Sequence, residues 1–169
     1  MKKAKIEIVL GDITKEKCDA IVNAANKWLM QGGGVCGAIF NEAGSYELQK
    51  ECDKLSPIKT GEAVITRGYN LKAKYIIHAV GPQYRDDSSA IYLHNAYVNS
   101  LKLAEYYHLK SIAFPSISTG IYGYPLEKAV DIALNAISNF DYNSLDLVRI
   151  ICFDERTYNE YLKKKKEQL

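Results

Sequence analysis

The stretch SIAFPSISTGIYGYPLEKAV, Ser111 to Val130, carries three structural signals in one continuous run. Ser111 to Phe114 is an apolar segment of strand length, and the residues after it are turn formers with glycines at 120 and 123. Pro125 then suits the first turn of a helix whose apolar stripe is Leu126, Ala129, Val130, Ala133, Leu134 and Ile137. A buried strand feeding a glycine loop and then a helix is half of a βαβ unit. In open α/β sheets, ligands bind outside the carboxyl ends of the strands, where such loops sit.

Working outward, the same arrangement recurs near the start of the chain. Lys5 to Leu10 alternates and stops at Gly11, and Ala20 to Val22 is a second apolar run. It is followed by NAAN, by the glycine loop QGGG, and by Val35, Ala38, Ile39 and Ala43 at helical spacing up to Gly44. Ala63 to Thr66 and Tyr75 to Val80 read as strands separated by the turn-prone RGYN. Leu93, Ala96, Tyr97, Leu101 and Ala104 predict a helix ending near Tyr107. Leu147 to Phe153 is a last strand, and Arg156 to about Lys166 a last helix. Strands alternating with helices predict an α/β protein, a three-layer α/β/α sandwich with a largely parallel sheet. With no linker, repeat or low-complexity segment, residues 1–169 read as one domain, large enough to bury a core without staples.

Composition narrows the function classes. A net charge of +2 provides no electrostatic footprint for a nucleic-acid groove, and no basic-aromatic strip is visible. Cys18, Cys36, Cys52 and Cys152 form no CxxC pair, and with His78, His94 and His108 they offer no zinc spacing, so no metal is expected. No signal peptide and no membrane-length apolar run is seen, so the expectation is a cytoplasmic chain with reduced thiols and no membrane partner. Lys163 to Lys166 reads as a solvated helix end, where cations suit the dipole.

Two loops remain, Asn26 to Gly34 and Ser116 to Pro125, each entering a helix. Glycines allow close backbone approach, and free N–H groups at a helix start point toward negative charge, so the pair suggests a diphosphate cradle. Glycine in a strand-to-helix turn serves geometry alone equally well. Neither loop carries the Gly-Lys-Ser/Thr of a nucleotide-triphosphate P-loop. The G-x-G spacing of Gly32, Gly34 and Gly37 lies too far beyond Val22 for the dinucleotide fingerprint, which argues against a kinase or a standard dehydrogenase. Asp12 in GDIT fits either an acceptor for the amino group of a base or the cap of a short helix. Phe153 fits either a stacking ring or core packing, whereas Tyr122, between two glycines, belongs to a loop tip.

Taken together and in order, GDIT, DAIVNAAN, GGGV, TGEAVITRGYNLKAKYIIHAVGP, SIAFPSISTGIYGYPLEKA and CFDE resemble the macro domain family, specifically its MacroD type. The resemblance covers nearly the whole chain. It implies a six-stranded mixed sheet between helices and an ADP-ribose cleft, with hydrolysis of ADP-ribose esters on aspartate or glutamate, or deacetylation of O-acetyl-ADP-ribose, in many members. By similarity, Asp12 and the backbone of Ile13 take the adenine edge and Phe153 stacks on it. Gly33, Gly34, Val35, Ser118, Thr119, Gly120, Ile121 and Tyr122 hold the diphosphate and distal ribose, and Asn26 bonds the distal ribose hydroxyls. Asn23 reads as structural. The implied partners are ADP-ribose, its esters and mono-ADP-ribosylated proteins, with no cofactor; nothing in the sequence demands more than a monomer.

One position departs from the family pattern. Many MacroD-type hydrolases have an aspartate directly after GGGV and a histidine one helical turn on; here these are Cys36 and Phe40. A protonated thiol is a poor general base and lacks the two acceptor oxygens of a carboxylate. Three readings follow: hydrolysis with water activated by the substrate's own phosphate, a non-catalytic ADP-ribose reader, or a Cys36 nucleophile. The last lacks a partner base or a CxxxxxR loop, and a bound diphosphate would raise rather than lower the thiol pKa. A phosphatase acting on ADP-ribose-1''-phosphate would use the same cleft. His78 reads as a core histidine, and His94 has no partner legible in sequence.

Overall fold

The computed structural model describes residues 2–168. Strands β1 (Lys5–Leu10), β2 (Ala20–Ala24), β3 (Ala63–Arg67), β4 (Tyr75–Ala79), β5 (Ser111–Phe114) and β6 (Leu147–Cys152) form one sheet in the order β1-β6-β5-β2-β4-β3. Only β3 and β4 pair antiparallel; the other neighbours are parallel. The short turn between Arg67 and Tyr75 leaves no room for a crossover, so that pair must run antiparallel.

Helices α1 (Gly34–Ala43), α2 (Ser45–Asp53), α3 (Ala90–Tyr106), α4 (Leu126–Asn139) and α5 (Glu155–Gln168) cover the two faces. Side-chain alternation along the strands builds a core on each. On β2, Ala20 and Val22 join the core under α3, α4 and α5, while Ile21 joins the one under α1 and α2. β4 divides the same way, with Ile77 on the first face and Ile76 on the second. Each fully buried Ile or Leu contributes about 1.5–3 kcal/mol. The three-layer architecture is the one expected.

Three of the differences from the sequence reading bear on the site. Helix α2 was not anticipated, because Leu48 and Cys52, one turn apart, are the only residues it buries. That narrow stripe gives little periodic signal. Strand β2 continues through Asn23 and Ala24, because Asn23 lies in register with His78 of β4 and is buried rather than turned to water. Strand β6 ends at Cys152, which leaves Phe153 outside the ladder.

The strand order decides where a site can form. The carboxyl ends of β1, β6, β5 and β2 are consecutive neighbours. They bring Asp12, Phe153, the 115–125 loop and the 25–33 loop into one row along a single edge of the sheet.

Candidate functional site

Asp12 stands at the β1 end of this row. Its Oδ1 accepts from the Thr14 N–H (2.9 Å) and the Thr14 hydroxyl (2.7 Å), capping the short 3-10 turn Ile13–Lys15. Both bonds land on Oδ1, so Oδ2 keeps its acceptor capacity and the two readings of Asp12 are compatible. The segment is anchored further on, where Arg149 of β6 donates to Glu16 (2.6 Å) and to Glu7 (2.6 Å). Ile13 is buried at the turn. Next in the row, Phe153 is 78% exposed, which rules out core packing and leaves its ring face open.

The β2 loop is held by side chains. Asn26 Oδ1 accepts from the N–H groups of Trp28 (3.1 Å) and Met30 (3.2 Å), and its Nδ2 donates to the Met30 carbonyl (2.8 Å). Gln49 of α2 donates to the Leu29 carbonyl (3.0 Å) and accepts from the Gln31 N–H (3.0 Å). Asn26 therefore has both lone pairs engaged and one N–H free for a ligand hydroxyl. Gly37 lets the loop lie on α1, since a Cβ there would stand 2.5 Å from the Gly32 carbonyl oxygen. Over Gly32, Gly33 and Gly34, by contrast, an added Cβ would meet nothing within 4 Å. Val35 is half-buried beside them.

Cys36 lies on the floor of this loop, buried. Asn23 Nδ2 donates to its sulfur (3.6 Å), and the thiol donates to the Met30 carbonyl (3.7 Å). Asn23 Nδ2 also meets His78 Nδ1 at 3.1 Å, and His78 Nε2 meets the Thr66 hydroxyl at 2.9 Å. Burial drives the His78 pKa down to about 3, so the imidazole is neutral. With Asn23 assigned as donor, its proton sits on Nε2 and goes to Thr66. Asn23 is structural in this setting, and its buried Oδ1 has no partner among the described residues.

The β5 loop is pinned from outside. The Tyr97 hydroxyl of α3 accepts from the Ile117 N–H (3.1 Å), and the Tyr84 N–H donates to the Tyr122 carbonyl (2.9 Å). Inside the loop, Tyr124 N–H bonds the Ser118 carbonyl (2.9 Å) and Thr119 Oγ1 bonds Ser116 Oγ (3.0 Å). Ser118 has φ +69 and is buried, its hydroxyl wedged against Gly81, where any Cβ would overlap it. Its side chain therefore faces the protein, leaving the backbone for a ligand. Ile121 is fully exposed and Gly120 opens onto free space. Tyr122 is half-buried, and burial raises the pKa of its hydroxyl.

Among the described residues, the backbone N–H groups of 32–34 and of 118–122 find no acceptor within the chain. Two runs of unspent donors thus flank the gap between the neighbouring strands β5 and β2. The braces Gln49, Tyr84, Tyr97 and the Glu16–Arg149 pair escaped the sequence reading, since each acts from an element distant in sequence. Among the described residues no cluster of three or more His, Cys, Asp or Glu could hold a metal ion, and no helix is long and apolar enough to cross a membrane.

The macro domain family model matches residues 22–133. A protein of Pantoea vagans named O-acetyl-ADP-ribose deacetylase 1 is 45% identical over 168 residues, spanning 94% of this chain and 97% of its own. The Oceanobacillus iheyensis macrodomain with ADP superposes with a TM-score of 0.94 at 45% identity, over 98% of this chain and 92% of that one. The Trypanosoma brucei macrodomain in complex with ADP-ribose gives a TM-score of 0.89 at 40% identity, over 95% of this chain and 68% of that one. By sequence and by fold, the chain belongs to the macro domain family.

Proposed function

We propose that the row of loops binds ADP-ribose and that the bound ester is hydrolysed at the distal ribose. The substrates are mono-ADP-ribosylated aspartate or glutamate side chains and O-acetyl-ADP-ribose. The observation that carries binding is the pair of unspent N–H runs at 32–34 and 118–122, in the loops that follow the neighbouring strands β2 and β5. Such donors neutralise a diphosphate without any cationic side chain. From β1 to β2 the row crosses three inter-strand gaps of about 4.8 Å each, enough for an extended nucleotide sugar. Asp12 and Phe153 take the adenine at one end, by hydrogen bond and by stacking, and Asn26 takes the distal ribose at the other.

In this reading Cys36 is not the base. A phosphate oxygen of the ligand accepts one proton of the attacking water as the water oxygen bonds a carbon of the ester linkage; the ester C–O bond at that carbon breaks, and the carboxylate and ADP-ribose leave. The remaining Asn26 N–H holds a ribose hydroxyl while the loop clamp keeps the side chain still. The names borne by relatives such as the Pantoea vagans deacetylase support hydrolysis. A second reading, a reader that binds without turnover, is favoured by one observation: a buried thiol stands where a carboxylate would position water.

The test is a time course with a glutamate-linked mono-ADP-ribosylated peptide, run beside O-acetyl-ADP-ribose and ADP-ribose-1''-phosphate. Wild type should release carboxylate or acetate but not phosphate. Asn26→Ala should slow turnover by about tenfold or more, and Cys36→Asp should raise it. Tight ADP-ribose binding with no turnover over hours would establish the reader instead. Absence of ADP-ribose binding at millimolar ligand would sink both.

A further inference from the structure

Beyond the cleft, the β2 loop displays apolar side chains that the fold does not use. Trp28 is 53% exposed and Met30 57%, although the loop carrying them is clamped by Asn26 and Gln49 and anchored by the buried Leu29. Tyr46, at the start of α2, is 71% exposed, one helical turn from Gln49 on the same side of the helix. The two segments are tied together, because Gln31 Nε2 donates to Asn41 Oδ1 at 3.0 Å and Ser45 Oγ reaches the same oxygen at 3.5 Å. Each aromatic ring carries a lysine: Lys27 Nζ lies 5.1 Å from the Trp28 ring and Lys50 Nζ 5.1 Å from the Tyr46 ring. Two hydrogen-bonded neighbouring segments thus carry exposed aromatics, Met30 and two ammonium groups.

We infer that this face docks the acidic polypeptide segment around an ADP-ribosylated aspartate or glutamate. The inference rests on the proposed orientation of ADP-ribose, with its distal ribose at Asn26. Whatever is esterified to that ribose must leave the cleft past Asn26, and Trp28 and Met30 are the next exposed side chains on the same loop. Trp and Met are enriched where one protein surface recognises another. A carboxylate-rich segment complements Lys27 and Lys50, and its apolar side chains complement the rings. A nucleic acid fits less well, because two lysines do not track a phosphate backbone. The protein would therefore prefer a modified polypeptide to a small acetylated metabolite.

Trp28 is the sole tryptophan, so its emission reports on this face directly. The probes are free ADP-ribose, a glutamate-rich peptide carrying ADP-ribose through a non-cleavable amide, and an oligonucleotide carrying it at one end. Calorimetry should show the peptide conjugate binding about tenfold tighter than free ADP-ribose, with a shift in Trp28 emission that the free ligand does not produce. Trp28→Ala and Tyr46→Ala should each erase most of that advantage while changing affinity for free ADP-ribose by less than about twofold. Equal affinities for peptide conjugate and free ligand in wild type would overturn the docking face while leaving the proposed cleft intact. An equal loss for both ligands in the variants would also overturn it, by assigning the rings to the nucleotide site. A larger advantage for the oligonucleotide would overturn the choice of occupant. No binding of free ADP-ribose would break the orientation on which the face depends, and the inference with it.

Discussion

The two loops flanking the cleft offer similar backbone donors but are held by opposite means. The β2 loop is organised by side chains that close on it from within and below: Asn26 across the turn, Gln49 from α2, and the buried Asn23, Cys36 and His78 beneath. The β5 loop is organised by its own backbone turns and by two tyrosines that grip it from outside, at Ile117 and at Tyr122. A loop that leaves its N–H groups unspent cannot stabilise itself with those groups. It needs carbonyl-directed bonds or side-chain braces, and the two loops represent the two solutions.

The contrast breaks most visibly in acid. His78 underlies only the β2 loop, and its folded pKa of about 3 lies below the ordinary 6.5 because burial penalises the imidazolium. Below about pH 6.5 the unfolded chain takes up a proton that the folded chain refuses. Stability therefore falls as pH drops from 6.5 toward 3, by at most about 1.4 kcal/mol per unit from this group. Denaturant melts across that window should show the slope, and His78→Gln should flatten it. Hydrogen exchange should show the β2 loop loosening before the β5 loop; the reverse order would contradict the assignment of the brace.

A smaller effect is expected from Gly37→Ala, which drives a methyl against the Gly32 carbonyl 2.5 Å away. It should cost about 2 kcal/mol, lower the thermal midpoint, and weaken ADP-ribose binding by displacing the donors of 32–34. An unchanged midpoint would mean that the β2 loop floats on α1 instead of resting there. Tyr97→Phe probes the other loop and should do least. It strips the Ile117 N–H of its acceptor at a buried position, costing about 1–2 kcal/mol. ADP-ribose affinity, read by calorimetry, should fall by less than about tenfold, because Tyr84 still holds the far end of the loop. A loss as large as that of Gly37→Ala would make the two loops equally dependent on a single contact.

Local segments that bury a full stripe or alternate cleanly were legible beforehand, as β1, β5 and α4 illustrate. Helix α2 was not, because it buries only Leu48 and Cys52 and is otherwise polar. Among site residues, the glycine runs and Asp12 could be proposed from chain position alone, since anion cradles and caps are local devices. Phe153 could not be separated from a core residue until the ladder ended at Cys152 and left its ring 78% exposed. Ser118 had the right position for a ligand contact, but its φ of +69 turns the hydroxyl inward, a choice made by packing against Gly81.

By itself, the sequence determined the α/β class, the two donor-rich loops and the substitution of Cys36 for a carboxylate, because propensity, periodicity and residue chemistry act over a few positions. Only the tertiary structure decided that β1, β6, β5 and β2 stand side by side, so that Asp12, Phe153 and both loops share one edge. It alone joined Asn23, Cys36, His78 and Thr66 beneath the β2 loop, and tied the loop that bears Trp28 to the helix that bears Tyr46. Strand order and cross-element hydrogen bonds arise from burying two sheet faces at once, and no local stretch of chain carries that information.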